Sequence, residues 1–251
     1  MKLIFFTLFI LVGCATEKPE GKTAAEVLYK EAQNLMDDGR YLLATEKLNQ
    51  LKNQYPYSFY ATPAELLQAD ILFEQENYVE AAAAYLLFKD FHPKHDKMPY
   101  VIFKIAESYF EQIPDTFDRD LQPAFEAIKY FKELVFRFPS SDHSKTAKKK
   151  IERAEDMIRA KEKYIADFYY KTEVYEAARW RYLHILDNFK EKDLIRHSMQ
   201  RVILSSFHLK DYEKCASFAR KYSSILHEDS KGKDSKNLEE AITACDKKLK
   251  Q

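Results

Sequence analysis

The sequence predicts an all-α protein built from repeated helix pairs. Only four of its 251 residues are glycine, whereas sheet proteins with tight hairpins depend on glycine-containing turns. Hydrophobic residues make up 46% of the chain and include 17 Tyr and 18 Phe, which is enough apolar volume for an extended core. A third observation, a motif that recurs along the chain, indicates how the helices are arranged.

The recurring motif is an aromatic residue followed three positions later by a small residue. Its copies begin at Tyr41, Tyr78, Tyr175 and Tyr212, and the first two and the last two are each 37 residues apart. An alanine precedes the small residue by twelve positions in three copies. This spacing is typical of tetratricopeptide repeats, units of about 34 residues that each contain two helices. We therefore predict a tetratricopeptide-repeat solenoid of about five helix pairs with a C-terminal capping helix.

The first two repeats contain the expected helix faces and boundaries. The first repeat has apolar faces at Leu28, Ala32, Leu35, Ala44, Leu48 and Leu51. Pro56 then ends the unit, because proline cannot continue a helix. In the second repeat, Thr62 is predicted to cap a helix with Pro63 at its first position and Glu65 at its third.

The third repeat is longer than the others. Its small residues Ala106 and Ala127 are 21 positions apart instead of twelve, so about nine extra residues lie around IPDTFDRDLQP, 113–123. Insertions in repeat arrays project from one face and often carry binding. This loop is therefore a candidate contact surface.

The last two repeats are followed by a polar helix. The fourth is built on Ala166, Tyr169, Ala178, Tyr182 and Ile185, and the weaker fifth on Ile203, Cys215, Ala219 and Tyr222. A Lys- and Glu-rich helix from about Ser235 is predicted to cap the array, because a terminal repeat needs a polar outer face.

The run KTAKKKIERAEDMIRAKEK, 145–163, could be a basic patch or a solvated helix face. Acidic residues interleave with its lysines, and Glu155 and Arg159 are spaced for an i, i+4 ion pair. We favour the solvated face. Lys+Arg and Asp+Glu both number 40 in the whole chain, so no net charge attracts nucleic acid.

The N-terminus has the proportions of a secretory signal peptide. Lys2 precedes an apolar run from Leu3 to Val12 that only Thr7 interrupts. A membrane-spanning helix needs about 20 residues, so this run is too short to be an anchor.

The stretch LVGC at the end of this run resembles the lipobox of bacterial lipoproteins, in which cleavage precedes the cysteine and its thiol carries diacylglycerol. By that resemblance, residues 1–13 are removed, Cys14 carries lipid and 14–22 form a linker. Ala15 favours the outer membrane over the inner one, so we expect a protein anchored on the periplasmic face of the outer membrane. A chance cysteine beside an ordinary cleavage site is the alternative.

No feature of the sequence predicts an enzyme. Phosphate-binding loops need clustered glycines, and no Ser/His/Asp or Cys/His arrangement has a spacing beyond chance. We expect no cofactor. His92, His95 and Asp96 could ligate a metal, but Pro93 interrupts the helix between the histidines and no further ligand is evident. A turn at a repeat boundary is the favoured interpretation, with no metal.

Two cysteines remain besides Cys14. Because the periplasm is oxidising, Cys215 and Cys245 could form a disulfide. Two separate buried thiols are the alternative.

The densest aromatic cluster follows the first repeat. Tyr55, Tyr57, Phe59 and Tyr60 place four aromatic rings within six residues, more than one helix junction needs to bury. Two interpretations stay open: core packing, and a hydrophobic surface that binds peptides.

Together these features resemble the BamD family, outer-membrane lipoproteins of the β-barrel assembly machinery with a lipobox, five tetratricopeptide repeats and a longer third one. The loop QYPYSFYA is similar to the family's Y-P-F-G-x-Y stretch, with Tyr55, Pro56 and Tyr60 matching. His95 and Tyr100 match its segment that enters the third repeat, and FDRD resembles its acidic-Arg insertion. The resemblance covers nearly the whole mature chain.

The resemblance implies a scaffold. Members bind the periplasmic domains of BamA, act with other lipoproteins of the machinery, and receive unfolded outer-membrane proteins through their aromatic C-terminal strands. Repeats one to three, 23–140, would bind precursors, and repeats four and five with the cap, 141–251, would bind BamA. Arg196 falls where the family has an arginine close to the BamA contact.

A second class of function stays open, namely a lipoprotein of similar build that serves another envelope machine. Examples are a pilotin for a secretin and a cell-wall coordination factor. Co-purification from solubilised membranes separates the two classes, with BamA recovered in the first case and a secretin ring in the second.

Overall fold

The computed structural model describes residues 21–226 and 233–250, and within these ranges all regular secondary structure is α-helix. The eleven helices of these ranges are α1 (Ala24–Asp37), α2 (Tyr41–Gln54), α3 (Ala61–Glu74), α4 (Tyr78–Phe91), α5 (Met98–Glu111), α6 (Gln122–Arg137), α7 (His143–Lys171), α8 (Tyr175–Asn188), α9 (Lys192–His208), α10 (Tyr212–Leu226) and α11 (Lys233–Leu249). The predicted all-α tetratricopeptide-repeat solenoid is confirmed. None of these helices is both long and apolar enough to cross a bilayer. Cys14 and the predicted signal peptide lie outside the described residues.

Successive helices pair as the spacing predicts. Helix α1 packs on α2, α3 on α4, α7 on α8 and α9 on α10, while α11 lies against both α9 and α10. In the third repeat, the Tyr109 ring of α5 stacks on the Tyr130 ring of α6 with 5.9 Å between centroids. Helix α11 therefore occupies the predicted position of the cap.

The chain divides into two compact units, one ending at Ser108 and the other beginning at Tyr109, so the division falls inside α5. The first unit contains a buried cluster of side chains from α1, α2 and α3. The second contains a larger one from the end of α7 and from α8 to α11. The sequence-based division at residue 140 separates expected functions rather than packing units, and it stays a prediction.

The helix contacts depend on residues with very small side chains. Ala44, Ala81 and Ala178, in the first turn of the second helix of three repeats, are completely buried, as is Cys215 in the fifth. Their partners twelve positions earlier are also completely buried: Ala32, Ala69 and Ala166. Since protein interiors are packed as densely as organic crystals, a larger side chain at these positions would force the helices apart.

The turn from the first to the second helix is the same hydrogen-bonded motif in four repeats. Its left-handed position, with φ between 59° and 72°, is held by Gly39, Glu76, Glu173 and Lys210. In each turn, two backbone N–H groups bond to carbonyls in the last turn of the preceding helix, which is the Schellman arrangement. A non-glycine residue pays about 1–2 kcal/mol for this conformation, so three turns are formed against a local cost.

The predicted start of the second repeat is wrong by two residues. Helix α3 begins at Ala61, because the Tyr60 carbonyl already accepts the first helical hydrogen bond from the Ala64 N–H. Thr62 therefore lies inside the helix and does not precede it. The preceding loop reaches helical geometry early because the Ala61 N–H bonds the Ser58 carbonyl at 3.0 Å.

Helix α7 is continuous over 29 residues and contains both the charged run and the first helix of the fourth repeat. The predicted ion pair between Glu155 and Arg159 does not form. Glu155 instead pairs with Lys132 of α6 at 2.7 Å, while Arg159 pairs with Asp156 and with Glu191. The charged face is therefore partly paired with neighbouring elements, through Glu155 with Lys132 and Arg159 with Glu191, and partly within its own helix, through Arg159 with Asp156.

A partly buried carboxylate ties together three helices around the second repeat. Asp70 on α3 accepts hydrogen bonds from the Tyr85 hydroxyl on α4 at 2.5 Å and from the Tyr100 hydroxyl on α5 at 2.8 Å. Burial raises the pKa of Asp70, although the two tyrosine bonds act in the opposite direction. A raised carboxyl pKa means that ionisation of Asp70 costs folding stability at neutral pH.

The fourth repeat contains the same arrangement with a histidine in the third position. Asp167 on α7 accepts hydrogen bonds from the Tyr182 hydroxyl at 2.6 Å and from His197 Nε2 at 2.7 Å, and it pairs with Lys163. Burial alone would raise the pKa of Asp167, but the bonds from His197, Lys163 and Tyr182 outweigh it and lower the pKa. A lowered pKa stabilises the folded protein at pH values above the pKa of the unfolded state, about 3.9. This stabilisation is lost as the pH falls towards the pKa of the folded state.

The two carboxylates should respond oppositely to the same substitution. We expect Asp167→Asn to reduce the free energy of unfolding by about 1–3 kcal/mol at pH 7, because it loses the ion pair with Lys163. Asp70→Asn should be neutral or stabilising, because the amide oxygen can accept both tyrosine bonds without a buried charge. Urea unfolding of both variants checks this.

The same variants test the pH dependence. Between pH 5 and pH 2, the free energy of unfolding should fall more steeply for the parent than for Asp167→Asn, because the variant lacks the carboxylate whose protonation destabilises the parent. An equal loss of stability by both asparagine variants at pH 7 would show that the two clusters are not electrostatically different.

Enlarging the small residues should damage the packing. We expect Ala44→Leu, Ala81→Leu and Ala178→Leu each to lower the free energy of unfolding by about 1–3 kcal/mol through overpacking. Ala83→Leu, on the exposed side of α4, is the matched control and should change stability little. Thermal melts in which all four variants behave alike would refute the proposed helix contacts.

Candidate functional site

The aromatic loop between α2 and α3 presents two of its four predicted rings to solvent. Two backbone hydrogen bonds shape the loop, from the Ser58 N–H to the Tyr55 carbonyl and from the Ala61 N–H to the Ser58 carbonyl. Tyr57 is fully exposed and Phe59 is 84% exposed. These side chains make no contribution to the core, and their exposure agrees with the surface interpretation.

The other two rings divide between core and surface. Tyr60 packs against the buried cluster of the first unit, and its ring lies 5.5 Å from that of Tyr29. The Tyr55 side chain is partly exposed, at 37%. The Phe59 ring meets the Tyr60 ring edge-on at 5.5 Å, so Tyr60 links the exposed Phe59 to the core and supports its position.

The end of α4 completes a site that the loop begins. Phe91, in the last turn of α4, is 72% exposed. A groove of about 560 Å³ is lined by Ser58, Phe59, Thr62, Pro63, Phe91, His92, Pro93, Lys94 and His95. We call it the aromatic groove. Two segments 32 positions apart in the chain thus bring Phe59 and Phe91 to one surface.

A second groove adjoins the first. It has a volume of about 590 Å³ and shares Phe91 and His92 with the aromatic groove. Its other apolar lining residues include Leu72, Leu87 and Phe88, of which Leu87 is exposed. The two grooves thus meet at the end of α4, at Phe91 and His92.

The polar residues of the aromatic groove include Ser58, His92 and Lys94. His92 Nε2 lies 2.9 Å from Glu65 Oε2, while Lys94 is exposed. The Ser58 hydroxyl is buried and has no hydrogen-bond partner among the described residues. The Lys94 ammonium group is therefore available as a donor to an anionic group that enters the groove, whereas the Ser58 hydroxyl is buried.

The two histidines that were considered as metal ligands have other contacts. The His92 ring lies 4.7 Å from the Phe88 ring, and the His95 ring meets Phe88 edge-on at 5.1 Å. His95 also accepts a hydrogen bond from the Lys97 N–H through Nδ1. Within residues 21–226 and 233–250, no group of three or more His, Cys, Asp or Glu side chains could hold a metal ion.

Phe91 and Leu87 were not predicted as site residues. The available signal was the composition of α4, YVEAAAAYLLFKDF, which is apolar around most of its circumference. Such a helix is expected to be buried on all sides. Here Ala81, Tyr85 and Phe88 enter the core, while Leu87 and Phe91, one helical turn apart, remain uncovered.

The insertion in the third repeat is attached to α7. The connection between α5 and α6 spans 112–121, and the ring of its Phe117 lies 5.4 Å from the ring of Tyr164. The Lys161 ammonium donates a hydrogen bond to the Arg119 carbonyl. The loop therefore lies against the long helix, and these contacts restrict the surface that it offers.

The remaining predicted site residues lie in the second unit. Arg196 is half-buried on α9. Cys215 on α10 and Cys245 on α11 are joined in a disulfide, the first of the two alternatives that the sequence left open. Closing a loop of this length, with 30 positions between the cysteines, is worth about 3–4 kcal/mol in the chain-entropy account. The cap helix is thereby tied to the fifth repeat.

Comparison with known proteins identifies relatives over most of the chain. The family described as YfiO, outer membrane lipoprotein, matches residues 22–217. Outer membrane protein assembly factor BamD of Rickettsia prowazekii is 28% identical over 219 residues, which cover 86% of this chain and 85% of that protein. The proteins of the same name from Neisseria gonorrhoeae and Vibrio cholerae are 28% and 26% identical, over 79% and 77% of this chain and 82% and 84% of theirs.

Proposed function

This chain belongs to the YfiO family of outer membrane lipoproteins, and from that premise we propose that it is a non-catalytic assembly factor for outer-membrane proteins. In this proposal repeats one to three, 23–140, receive unfolded precursors, and repeats four and five with the cap, 141–251, bind the periplasmic domains of BamA. Relatives named as outer membrane protein assembly factors over most of their length support the general role.

The observation that carries the proposal is the exposure of Phe59 and Phe91 on one groove. A contiguous exposed apolar surface on a soluble protein marks a site that contacts a partner. Aromatic and aliphatic side chains on an incoming chain would gain by leaving water, at roughly 25 cal/mol per Å² of apolar surface buried. Contacts of this kind depend little on exact sequence, as a receptor for many different precursors requires.

The polar groups of the aromatic groove favour the end of a chain over an internal segment. A terminal carboxylate needs hydrogen-bond donors, and Lys94, whose ammonium group has three, lines the same groove as the two phenylalanines. An unfolded precursor that ends in an aromatic residue could place its ring between Phe59 and Phe91 and its carboxylate near these donors. We therefore propose that the groove binds aromatic C-terminal strands.

The second unit is proposed to bind BamA through the surface around Arg196. Arg196 is half-buried on α9. A charged contact that it makes with a partner would therefore be largely shielded from water. Reversing such a charge replaces attraction with repulsion and costs several kcal/mol at an interface.

Defects in the two activities should be separable. We expect the double variant Tyr57→Ala with Phe59→Ala to bind a precursor C-terminal peptide at least tenfold more weakly while still co-purifying with the BamA periplasmic domains. Arg196→Glu should no longer co-purify with the BamA periplasmic domains but should bind the peptide as the parent does. Both are measured on the purified protein, by peptide cross-linking and by co-purification.

A matched control for this comparison is Phe136→Ala, which removes an equally exposed ring from the second unit and should preserve both activities. If the aromatic-loop and Arg196 variants each lose both activities while remaining folded, the division of labour between the units is wrong.

The lipid anchor is proposed from the sequence motif alone. Two or three acyl chains would hold the protein stably at a membrane where one would not. We expect Cys14→Ala to give an uncleaved or mislocalised precursor that takes up no radiolabelled palmitate, because no other acceptor lies at the cleavage site. Palmitate that persists in the Cys14→Ala protein would remove the lipoprotein assignment.

A further inference from the structure

A third groove, in the second unit, has features that neither proposed activity uses. It lies between α6, α7 and α8 and has a volume of about 620 Å³. Its apolar surface comes from Phe125, Ile128, Ile158 and Phe189, and charged side chains surround it. Phe125 is about half-exposed. We call it the charged groove.

Most of the charges around this groove are already neutralised within the unit. Lys132 pairs with Glu155 at 2.7 Å, and Arg159 pairs with Glu191 at 3.0 Å. These pairs join separate elements and fix the sides of the groove. Ligand charges that approach these pairs would have to compete with an existing partner.

Glu162 differs from its neighbours. Its Oε2 atom is buried and accepts no hydrogen bond from any group in the described residues, although its side chain remains 20% exposed. Oε2 forms an ion pair with Arg181, whose Nη1 is 3.6 Å away, too far for a hydrogen bond. The Arg181 guanidinium also lies 5.2 Å from the Trp180 ring, a position that favours a cation–π contact over closer approach to Glu162.

A buried carboxylate oxygen without a hydrogen bond favours a donor from outside. Leaving a charged acceptor without a hydrogen bond costs more than leaving a neutral one, and a charge-assisted bond is about twice as strong as a neutral bond. Because the terminal torsion of glutamate is broad, the Glu162 carboxylate can turn towards the groove. A basic side chain would then satisfy it, and apolar neighbours of that side chain would cover Phe125 and Ile128.

We propose that the charged groove binds a segment of a partner protein in which a basic side chain is flanked by apolar side chains, with Glu162 receiving the basic group. This site is separate from the aromatic groove, whose ligand is aromatic and anionic at its end. The occupant is specified by charge: Glu162 Oε2, a buried carboxylate oxygen that accepts no hydrogen bond from the described residues, favours a cation.

The chain contains its own reporter for this site. Trp180 is the only tryptophan in the protein, and its ring is 61% exposed. It stacks on the His184 ring with 5.9 Å between centroids, and His184 lines the charged groove. Binding in the groove should therefore change the Trp180 fluorescence.

The experiment titrates the full chain with the peptide acetyl-Leu-Leu-Arg-Leu-Leu-amide and with the same peptide carrying neutral citrulline in place of arginine. Trp180 fluorescence reports occupancy of this groove, and anisotropy of a fluorescein-labelled copy of each peptide reports binding anywhere. We expect saturable binding of the arginine peptide by both measurements and at least tenfold weaker binding of the citrulline peptide.

Glu162→Gln is the decisive variant, because it keeps the shape and removes the charge. It should lower the affinity for the arginine peptide at least tenfold, whereas Glu152→Gln, at an exposed position of the same helix, should leave this affinity unchanged. Thermal melts verify that Glu162→Gln is folded, and removal of an unsatisfied charge should leave it at least as stable as the parent. Arg181→Met, which removes the internal cation, should bind the arginine peptide more tightly than the parent.

Three results would overturn the proposal. These are equal affinity for the two peptides, unchanged affinity in Glu162→Gln, and anisotropy that rises without any change in Trp180 fluorescence. A Trp180 signal that changes with protein concentration alone would assign the groove to a second copy of the chain and would also overturn it. The aromatic-loop double variant should bind the arginine peptide normally, so failure of the proposed precursor binding would not affect this test.

Discussion

The close approach of paired helices at alanine or cysteine is the constraint on which the rest of the structure depends. Ala44, Ala81, Ala178 and Cys215 have no exposed surface, so each second helix meets its partner with almost no side chain between them. The larger side chains must then pack between successive pairs. Tyr85 and Tyr182 do so, and the hydroxyl of each donates a hydrogen bond to a carboxylate on the preceding helix.

The aromatic groove follows from the same constraint. Ala81, Tyr85 and Phe88 set the face of α4 that enters the core, and Leu87 and Phe91 lie off this face. Phe91 and Leu87 remain outside, beside a loop whose hydrogen bonds hold Phe59 out as well. The binding function proposed for the first unit thus uses the apolar side chains that remain exposed after its helices have packed.

The helix pairs could be predicted from the sequence because their determinant is local and periodic. A small residue twelve positions after another small residue indicates the contact, and a proline twelve positions later marks the end of the unit. Local reasoning failed where contacts from other elements decide the outcome. Glu155 pairs with Lys132 on another helix. Helix α3 begins at Ala61, before the predicted cap, because hydrogen bonds of the preceding loop bring the chain into helical geometry early.

The turns and the candidate site show two further limits of the sequence. Three Schellman turns have Glu or Lys where glycine is the usual signal, so tertiary packing and not local preference holds them. The aromatic loop was recognisable from its composition, since four rings in six residues are unusual. Phe91 was not, because a phenylalanine in an apolar helix gives no indication that its neighbours will leave it uncovered.

The central claim is that Phe59 and Phe91, from segments far apart in the chain, act as one binding site. A double-mutant cycle tests it most directly, with the affinity of a peptide ending in phenylalanine measured for the parent, Phe59→Ala, Phe91→Ala and the double variant. Residues that contact a common ligand group give non-additive losses, with interaction energies of about 0.5–3 kcal/mol. We predict that each single variant weakens binding and that the double variant weakens it by less than the sum. Unchanged affinity in Phe91→Ala, or strictly additive losses, would contradict a shared site.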